Sequence, residues 1–278
     1  MITTTDSDLA AILKAGDSPD VVLLTWGGKA LPPALQGLHH DMLAALRLVR
    51  GLTRLDQVDH AALAALAQSL EATAREATPH GLAGEAIVLA SPAIAALSAS
   101  LLQATRRELA MRLRGEALFP GWSDFYSHAR FAMVPLGRTL LDGAGIGEPA
   151  AVDAMDALMT AVALIGALQE AGQRCRQNGA VALPLQWLGG AEGAQGLAGR
   201  RCSAVLRRGF DRGADRAREL LALAGPSRNW GPIGPYAARL LLLGQRLLRR
   251  LQRRDPLAQQ IGLGWLDSLA LRLARLGP

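Results

Sequence analysis

Apolar side chains recur every three to four residues along most of this chain, the spacing that places them on one face of an α-helix. Gly and Pro cluster between these stretches, as they do in short connections between packed helices. The stretches that carry the pattern are Pro33–Val49, Ala61–Glu76, Pro92–Arg114, Ala150–Cys175, Leu197–Ala224, Pro235–Arg253 and Leu263–Leu276. The pattern predicts an all-α fold, a helical bundle with a ligand cavity between facing helices.

The composition favours helices around one large core. Half of the 278 residues are hydrophobic, Ala, Leu and Arg are abundant, and aromatic residues make up only 4%. Straight-chain side chains lose little rotamer freedom in a helix, so this composition agrees with the periodic pattern. No second composition regime divides the chain, and we expect a single domain over residues 1–278.

The net charge of +6 raises the question of an anionic partner. Lys14 and Lys29 are the only lysines, so almost all of the positive charge is arginine. No zinc-finger spacing, ribonucleoprotein box or basic zipper accompanies these arginines. We therefore expect no nucleic-acid partner.

The sequence also bears on the compartment. Two cysteines are too few for a disulfide framework, which favours a reducing environment. The first residues carry Asp6 and Asp8 where a signal peptide would be basic. The longest apolar run, Ala151–Leu168, is interrupted by two aspartates and falls short of a membrane span. We expect a cytoplasmic protein, soluble or peripheral at the inner face of the membrane.

Two segments in the middle of the chain resemble motifs of the squalene/phytoene synthase family. The segment Trp122–Arg138 ends in Pro135-Leu136-Gly137-Arg138 and is similar to the family motif Tyr-Cys-x-x-Ser-Ala-x-Pro-Val-Gly-Arg. Further on, Met155–Glu170 runs without a gap into Asn178–Pro184, and the two together resemble the stretch that contains the second aspartate motif of the family.

Two further segments extend this resemblance. Leu31–Arg50 lies where the family has the stretch that precedes its first aspartate motif, and Leu247–Ala258 looks like the arginine-rich ending of the hydroxysqualene synthases of the hopanoid pathway. The resemblance covers about residues 30–270 and leaves residues 1–25 as a divergent N-terminal segment. It implies an isoprenoid-synthase-like helical bundle with a central cavity.

Members of this family ionise prenyl diphosphates with Mg²⁺ held between two aspartate motifs on facing helices. Hard Mg²⁺ bound by carboxylates neutralises the charge that develops on the departing diphosphate. In this chain the first motif falls on Thr53, Arg54 and Gln57, which contain no aspartate. The metal site that the family implies has therefore largely been lost here.

In the second motif Gln169 is kept, while Gly166 replaces Asn, Glu170 replaces the first Asp and Arg174 stands where the next Asp belongs. Glu170 is thus the one carboxylate that survives of the five that the family has in its two motifs. Polar residues around the cavity change as well, because the family Ser and two Tyr positions are occupied by the residues Ala132, His128 and Ala182.

The remaining carboxylates give a weak metal set. Asp56 and Asp59 form an acidic pair one turn beyond the expected motif and could join Glu170 in holding a metal. The competing interpretation is a solvated helix end, since acidic residues of amphipathic helices are usually exposed. Glu170, Gln169 and Asp56 are the candidate catalytic residues, and Mg²⁺ is implied by the family but doubtful here.

Arginines provide a second way to receive a diphosphate. Arg54, Arg174, Arg138 and Arg50 could bind it directly, because a guanidinium group contacts phosphate oxygens bidentately. The alternative is that Arg54 and Arg174 face solvent at a decayed site. Similarly, the aromatic residues could line a prenyl pocket or could be ordinary core. They are Phe125, Phe131, Trp187 and Trp265.

Two functions follow from the resemblance and the altered motifs. The first is a prenyltransferase-like protein of squalene or hopanoid synthesis that acts on farnesyl or presqualene diphosphate with impaired catalysis. The alternative is a pseudoenzyme that keeps the fold and serves as a partner or assembly factor. The implied partners are a prenyl diphosphate or isoprenoid lipid, a companion synthase subunit, and a membrane surface contacted peripherally.

Overall fold

A computed structural model describes residues 6–54, 60–82, 84–114, 119–178, 181–198, 202–225, 230–264 and 267. Within these ranges every regular element is a helix, so the predicted all-α class is confirmed. The α-helices in chain order are α1 Asp6–Ala15, α2 Pro19–Gly28, α3 Pro33–Leu52, α4 His60–Glu76, α5 Glu85–Val88, α6 Pro92–Leu113, α7 Trp122–Ala132, α8 Val134–Gly143, α9 Pro149–Asn178, α10 Leu185–Leu188, α11 Gly190–Ala198, α12 Ala204–Ala224 and α13 Gly234–Arg253.

The long predicted helices α3, α4, α6, α9 and α13 match the structure within a few residues at each end. Local chemistry explains the starts. At α6, Ser91 accepts a hydrogen bond from the backbone N–H of Ile94 at 3.3 Å, and Pro92 follows at the first helical position, where it removes no useful donor.

One predicted helix, Leu197–Ala224, is wrong as a continuous element, because α11 ends at Ala198 and α12 begins at Ala204. The hydroxyl of Ser203 accepts from the N–H of Leu206 and starts a new helix there. The predicted helix Leu263–Leu276 begins in residues 263–264, which are not helical, and otherwise lies almost wholly outside the described residues.

Helix α9 is the axis of the bundle. It packs against α2, α7, α8, α12 and α13, and its side chains from Leu158 to Ile165 are almost all buried. Its Pro149–Cys175 portion is long and apolar enough to cross a membrane by length and composition, but 72% of that window is buried inside the bundle. Other helices, rather than lipid, therefore cover it. The core is one continuous cluster of buried apolar residues from Ile12 to Ile261.

Candidate functional site

Charged side chains from α2, α3, α6 and α9 meet in the middle of this apolar bundle. We call them the central ion network, which consists of Asp20, Arg50, Arg54, Glu108, Arg112, Glu170 and Arg174. The side chain of every member is 14% exposed or less. Buried charges are stable only when paired, so this network has to be nearly self-neutralising.

Glu170 is the centre of the network. One of its carboxylate oxygens, Oε1, accepts a hydrogen bond from Nη2 of Arg54, which directly follows α3. The other, Oε2, accepts from Nε of Arg174 at 2.9 Å, one turn along α9. Both oxygens of the carboxylate are therefore engaged by guanidinium groups, and Glu170 joins α3 to α9.

Glu108 of α6 extends the network in a second direction. Its Oε1 accepts from Nη2 of Arg112 at 2.6 Å and from Nη1 of Arg174 at 3.3 Å. Arg174 thus bridges Glu108 and Glu170, so α6 and α9 are linked through one guanidinium group. A planar guanidinium group with five N–H donors suits such a bridge.

Asp20 of α2 provides the third carboxylate. Its Oδ2 accepts from Nη2 of Arg50 at 2.7 Å and from Nε of the same side chain at 3.1 Å. It reaches the network because α2 passes close to Gly166 of α9, where an added Cβ would lie 3.0 Å from the Cβ of Asp20. Asp20 of α2 thus occupies the space beside Gly166, where the resembling family carries an Asn side chain.

The protonation of the network follows from these contacts. Burial alone would raise the pKa of Asp20, but Arg50 and Arg54 lower it to about 2. Burial would also raise the pKa of Glu108, yet two adjacent guanidinium groups hold it well below its usual range. Burial lowers the pKa of Arg54 to about 9. At neutral pH Asp20, Glu108 and Arg54 are therefore all charged.

A cavity of about 40 Å³ remains beside the network. His128, Phe119 and Phe125 also line it. Burial, with the nearby arginines, lowers the pKa of His128 to about 4, although Glu108 acts in the opposite direction. His128 is therefore neutral at neutral pH. A space of this size holds roughly three water molecules, and neither a diphosphate nor a prenyl chain fits in it.

The network does not suit the Mg²⁺ that the resemblance implies. Mg²⁺ requires several oxygen ligands at about 2.1 Å in octahedral geometry. All three carboxylates are already occupied by arginines, and the four guanidinium groups would repel a divalent cation. Among the described residues, no group of three or more His, Cys, Asp or Glu side chains is arranged to hold a metal ion.

The structure brings together four of the predicted site residues: Arg50, Arg54, Glu170 and Arg174. Arg54 and Arg174 lie inside the bundle, at 12% and 8% side-chain exposure, so the interpretation that they face solvent is wrong. The positions Ala132, His128 and Ala182 all line the small cavity, as expected from their alignment with family residues around the substrate.

Other predicted site residues lie elsewhere. Arg138 pairs with Asp156 through two hydrogen bonds, and its side chain is 46% exposed, outside the network. Gln169 donates to the carbonyl oxygen of Ile261 at 2.7 Å and holds the segment after α13 against α9. Asp56 and Asp59 lie outside the described residues.

The four aromatic candidates also separate. Phe125 and Trp187 are buried core residues, Phe131 is 37% exposed, and Trp265 lies outside the described residues. Three members of the network, Asp20, Glu108 and Arg112, were not among the predicted site residues. Asp20 lies in the first turn of α2, where an acidic residue usually just interacts favourably with the positive end of the helix dipole.

Comparisons with known proteins give one informative result. The sequence matches no protein-family model and no curated protein. In contrast, its structure is similar to the crystal structure of squalene synthase HpnC from Alicyclobacillus acidocaldarius, with a TM-score of 0.65 and 17% sequence identity. The match covers 90% of this chain and 96% of that one, so the two share their fold over nearly their full lengths.

Proposed function

We propose that this chain, built on the fold of a squalene synthase, does not ionise prenyl diphosphates and acts as a non-catalytic partner of other proteins in squalene or hopanoid formation. The central ion network is the observation that carries this proposal. A carboxylate centre that binds metal and diphosphate has to keep its oxygens free, whereas Asp20, Glu108 and Glu170 each bind arginine. The altered motifs of the sequence support the same conclusion.

The size of the centre supports the proposal independently. Ligand pockets for molecules the size of a prenyl diphosphate measure roughly 300–1,000 Å³. The cavity that Asp20, Glu108 and Glu170 line together measures about 40 Å³, and the adjoining cavity that Glu108 shares with His128 measures about 260 Å³, so each is smaller than that range. Function has to be argued from the site rather than from the fold, and neither cavity at this site reaches the volume of a typical ligand pocket.

A second function rests on one feature of the same network. Four guanidinium groups face three carboxylates, which leaves one uncompensated positive charge near Arg54 and Arg174. Under this alternative the protein is an impaired prenyltransferase, and a prenyl diphosphate displaces Glu170 from these arginines and is received by them directly. The displaced carboxylate would then need a new partner, which makes this the less favoured function.

Incubation with radiolabelled farnesyl or presqualene diphosphate tests the proposal. The purified protein is given NADPH, with Mg²⁺ present or chelated, and the products are separated. We expect neither a hydrocarbon product nor release of diphosphate under any condition. An active squalene synthase assayed in parallel shows that the substrates and conditions are competent.

Two results would overturn the proposal. Mg²⁺-dependent conversion would establish an enzyme whose metal ligands have moved, and metal-independent conversion would establish recognition by arginine. The partner role is tested by adding the protein to an active synthase of the same pathway and measuring the rate and the sedimentation of the mixture. A partner changes at least one of the two, and no change in either would leave the role of partner without support.

A further inference from the structure

The charge of this protein is divided very unevenly along the chain. The first 199 residues contain 14 basic and 19 acidic residues, a net charge of −5. The last 79 residues contain 16 arginines and 5 acidic residues, a net charge of +11. The overall value of +6 therefore hides an acidic part and a strongly basic part, and such asymmetry is typical of proteins that dock on an anionic surface.

The structure joins two of the most basic segments. Arg207, in the first turn of α12, donates to the carbonyl oxygens of Leu251 and Arg254 at 2.8 and 2.9 Å. The beginning of α12 therefore lies against the end of α13. Arginines that are separated by about forty residues in sequence share one end of the molecule.

The acidic residues of this region are already engaged. Arg207, Arg216 and Arg218 pair with Asp211, Glu219 and Asp215, respectively. Asp267 accepts from Arg246 and Arg250. Asp255 accepts from the backbone N–H groups of residues 257 and 258.

Within the described part of residues 200–278, five exposed arginines have no carboxylate partner. They are Arg208, Arg212, Arg249, Arg253 and Arg254, which we call the basic face. The uncompensated charge is thus accessible, and it lies at the beginning of α12 and the end of α13, which are in contact.

Aromatic rings lie next to the α12 part of the basic face. Arg208 and Arg212 line a groove of about 520 Å³ together with Trp122 and Trp187. The same groove is lined by Arg216 and by the carboxylates Asp211, Asp215 and Glu219, each of which already pairs with an arginine. The two indole rings are stacked with centroids 5.6 Å apart, and Arg216 lies 5.0 Å above the ring of Trp122. Tryptophan beside arginine is characteristic of surfaces at the headgroup level of a bilayer.

We propose that the basic face docks this protein on an anionic phospholipid bilayer. The guanidinium groups bind lipid phosphates, while the indole of Trp122 lies at the level of the headgroups. A nucleic acid would also attract arginine, but the described part of this region contains no strand or motif that reads a groove, and its aromatic rings stack on each other. Docking on lipid requires no catalysis and is independent of the proposed partner role.

Co-sedimentation of the full chain with vesicles tests this proposal. Vesicles of phosphatidylcholine with 30 mol% phosphatidylglycerol are compared with vesicles of phosphatidylcholine alone. We expect binding to the anionic vesicles only, and weaker binding as NaCl rises, because salt screens exposed charges. Each arginine near an anionic surface strengthens binding on the order of fivefold.

Paired variants locate the surface. Arg208→Gln/Arg212→Gln and Arg249→Gln/Arg253→Gln should each weaken binding on the order of 25-fold. The control Arg107→Gln/Arg130→Gln removes two exposed arginines of α6 and α7 and the same charge, and should change binding little. Circular dichroism and the melting temperature verify that all variants are folded.

Three results would overturn the proposal. Equal binding to neutral vesicles would show that the charge is irrelevant, and equal weakening by the control pair would show that net charge acts without a defined face. Tight binding to duplex DNA without vesicle binding would assign the basic face to nucleic acid instead.

Discussion

The Arg174–Glu170 and Arg138–Asp156 ion pairs both join a guanidinium group to a carboxylate, but the first is buried and the second lies at the surface. Arg174 and Glu170 lie in the middle of the bundle at 8% and 7% side-chain exposure. Arg138 and Asp156 form a two-point contact at the surface, where the arginine is 46% exposed. By geometry alone the surface pair is at least as good, since both of its bonds are shorter than 3 Å. What separates the two is the cost of leaving water.

That cost determines what each pair does for the protein. An exposed pair contributes about 0–1 kcal/mol, because water and salt compete for both partners. Breaking a buried pair costs about 3–5 kcal/mol, mainly because the remaining partner stays buried without compensation. Single substitutions are therefore tolerated far less well in the central ion network than at the Arg138–Asp156 pair. Neither set of ion pairs has to stabilise the fold more than apolar residues of similar size would.

The largest effect is expected at the centre of the network. Glu170→Gln keeps the shape but leaves Arg54 and Arg174 without their shared carboxylate, and should lower the free energy of unfolding by about 3–5 kcal/mol. Urea denaturation of the variant and the unchanged protein measures this loss of unfolding free energy. Glu76→Gln, at a site with 60% side-chain exposure, is the matched control and should cost less than about 1 kcal/mol. Equal losses in the two variants would remove the distinction between buried and exposed pairs.

Acid should destabilise the interior through two buried histidines. The pKa of His128 and that of His39 are both lowered by burial to about 4. The unfolded chain protonates both imidazoles below about pH 6.5, whereas the folded chain protonates them only near pH 4. The free energy of unfolding is therefore highest above pH 6.5 and falls as the pH approaches 4. Each histidine should contribute a loss of about 2–3 kcal/mol between pH 7 and pH 4.5.

Variants assign this pH dependence to its residues. His128→Asn should reduce the difference in unfolding free energy between pH 7 and pH 4.5, measured by urea denaturation at both values. His40→Gln is the control, since the side chain of His40 is 80% exposed. An unchanged difference in the His128 variant would show that its imidazole is not held neutral by the interior.

An intermediate effect is expected where α2 approaches α9. Gly166→Asn puts a side chain where the Cβ alone would lie 3.0 Å from the Cβ of Asp20, and should cost roughly 1–3 kcal/mol by overpacking. Gly37→Asn, in α3 with nothing within 4 Å of an added Cβ, controls for the change in helix propensity. Thermal or urea denaturation that ranks the two variants equally would contradict this close approach.

The smallest effect is expected at the surface pair. Asp156→Asn removes the carboxylate that Arg138 contacts, and should change the free energy of unfolding by less than about 1 kcal/mol. The change should shrink further in 1 M NaCl, because added salt screens exposed charges. A loss comparable to that of Glu170→Gln would mean that the surface pair carries structural weight that its exposure does not explain.

Much of this fold could be predicted from the sequence because long amphipathic helices leave a clear period. Helices α3, α6 and α9 were found from that period alone. The prediction joined α11 and α12 into one helix because apolar positions recur on both sides of Arg200 and Arg201, although Ser203 caps a new helix after them. The short helices α1 and α2 were missed because ten residues span fewer than three turns.

The site was predictable where its residues fall within known motifs. Arg54, Glu170 and Arg174 were found from their positions, and the structure brings them together. Asp20 could not be found this way, because it lies in the N-terminal segment that resembles no motif. Arg138 was assigned to the diphosphate from its motif, yet its place in the fold depends on the packing of α8 on α9, which the sequence does not specify.

The absent side chain at Gly166 has a consequence for how this protein could change over time. An asparagine there, as in the resembling family, would collide with Asp20, and an altered Asp20 would leave Arg50 buried without a carboxylate. Either change alone therefore lowers stability before it provides any metal ligand. The two substitutions are therefore epistatic, and a metal centre at this position would require several changes at once.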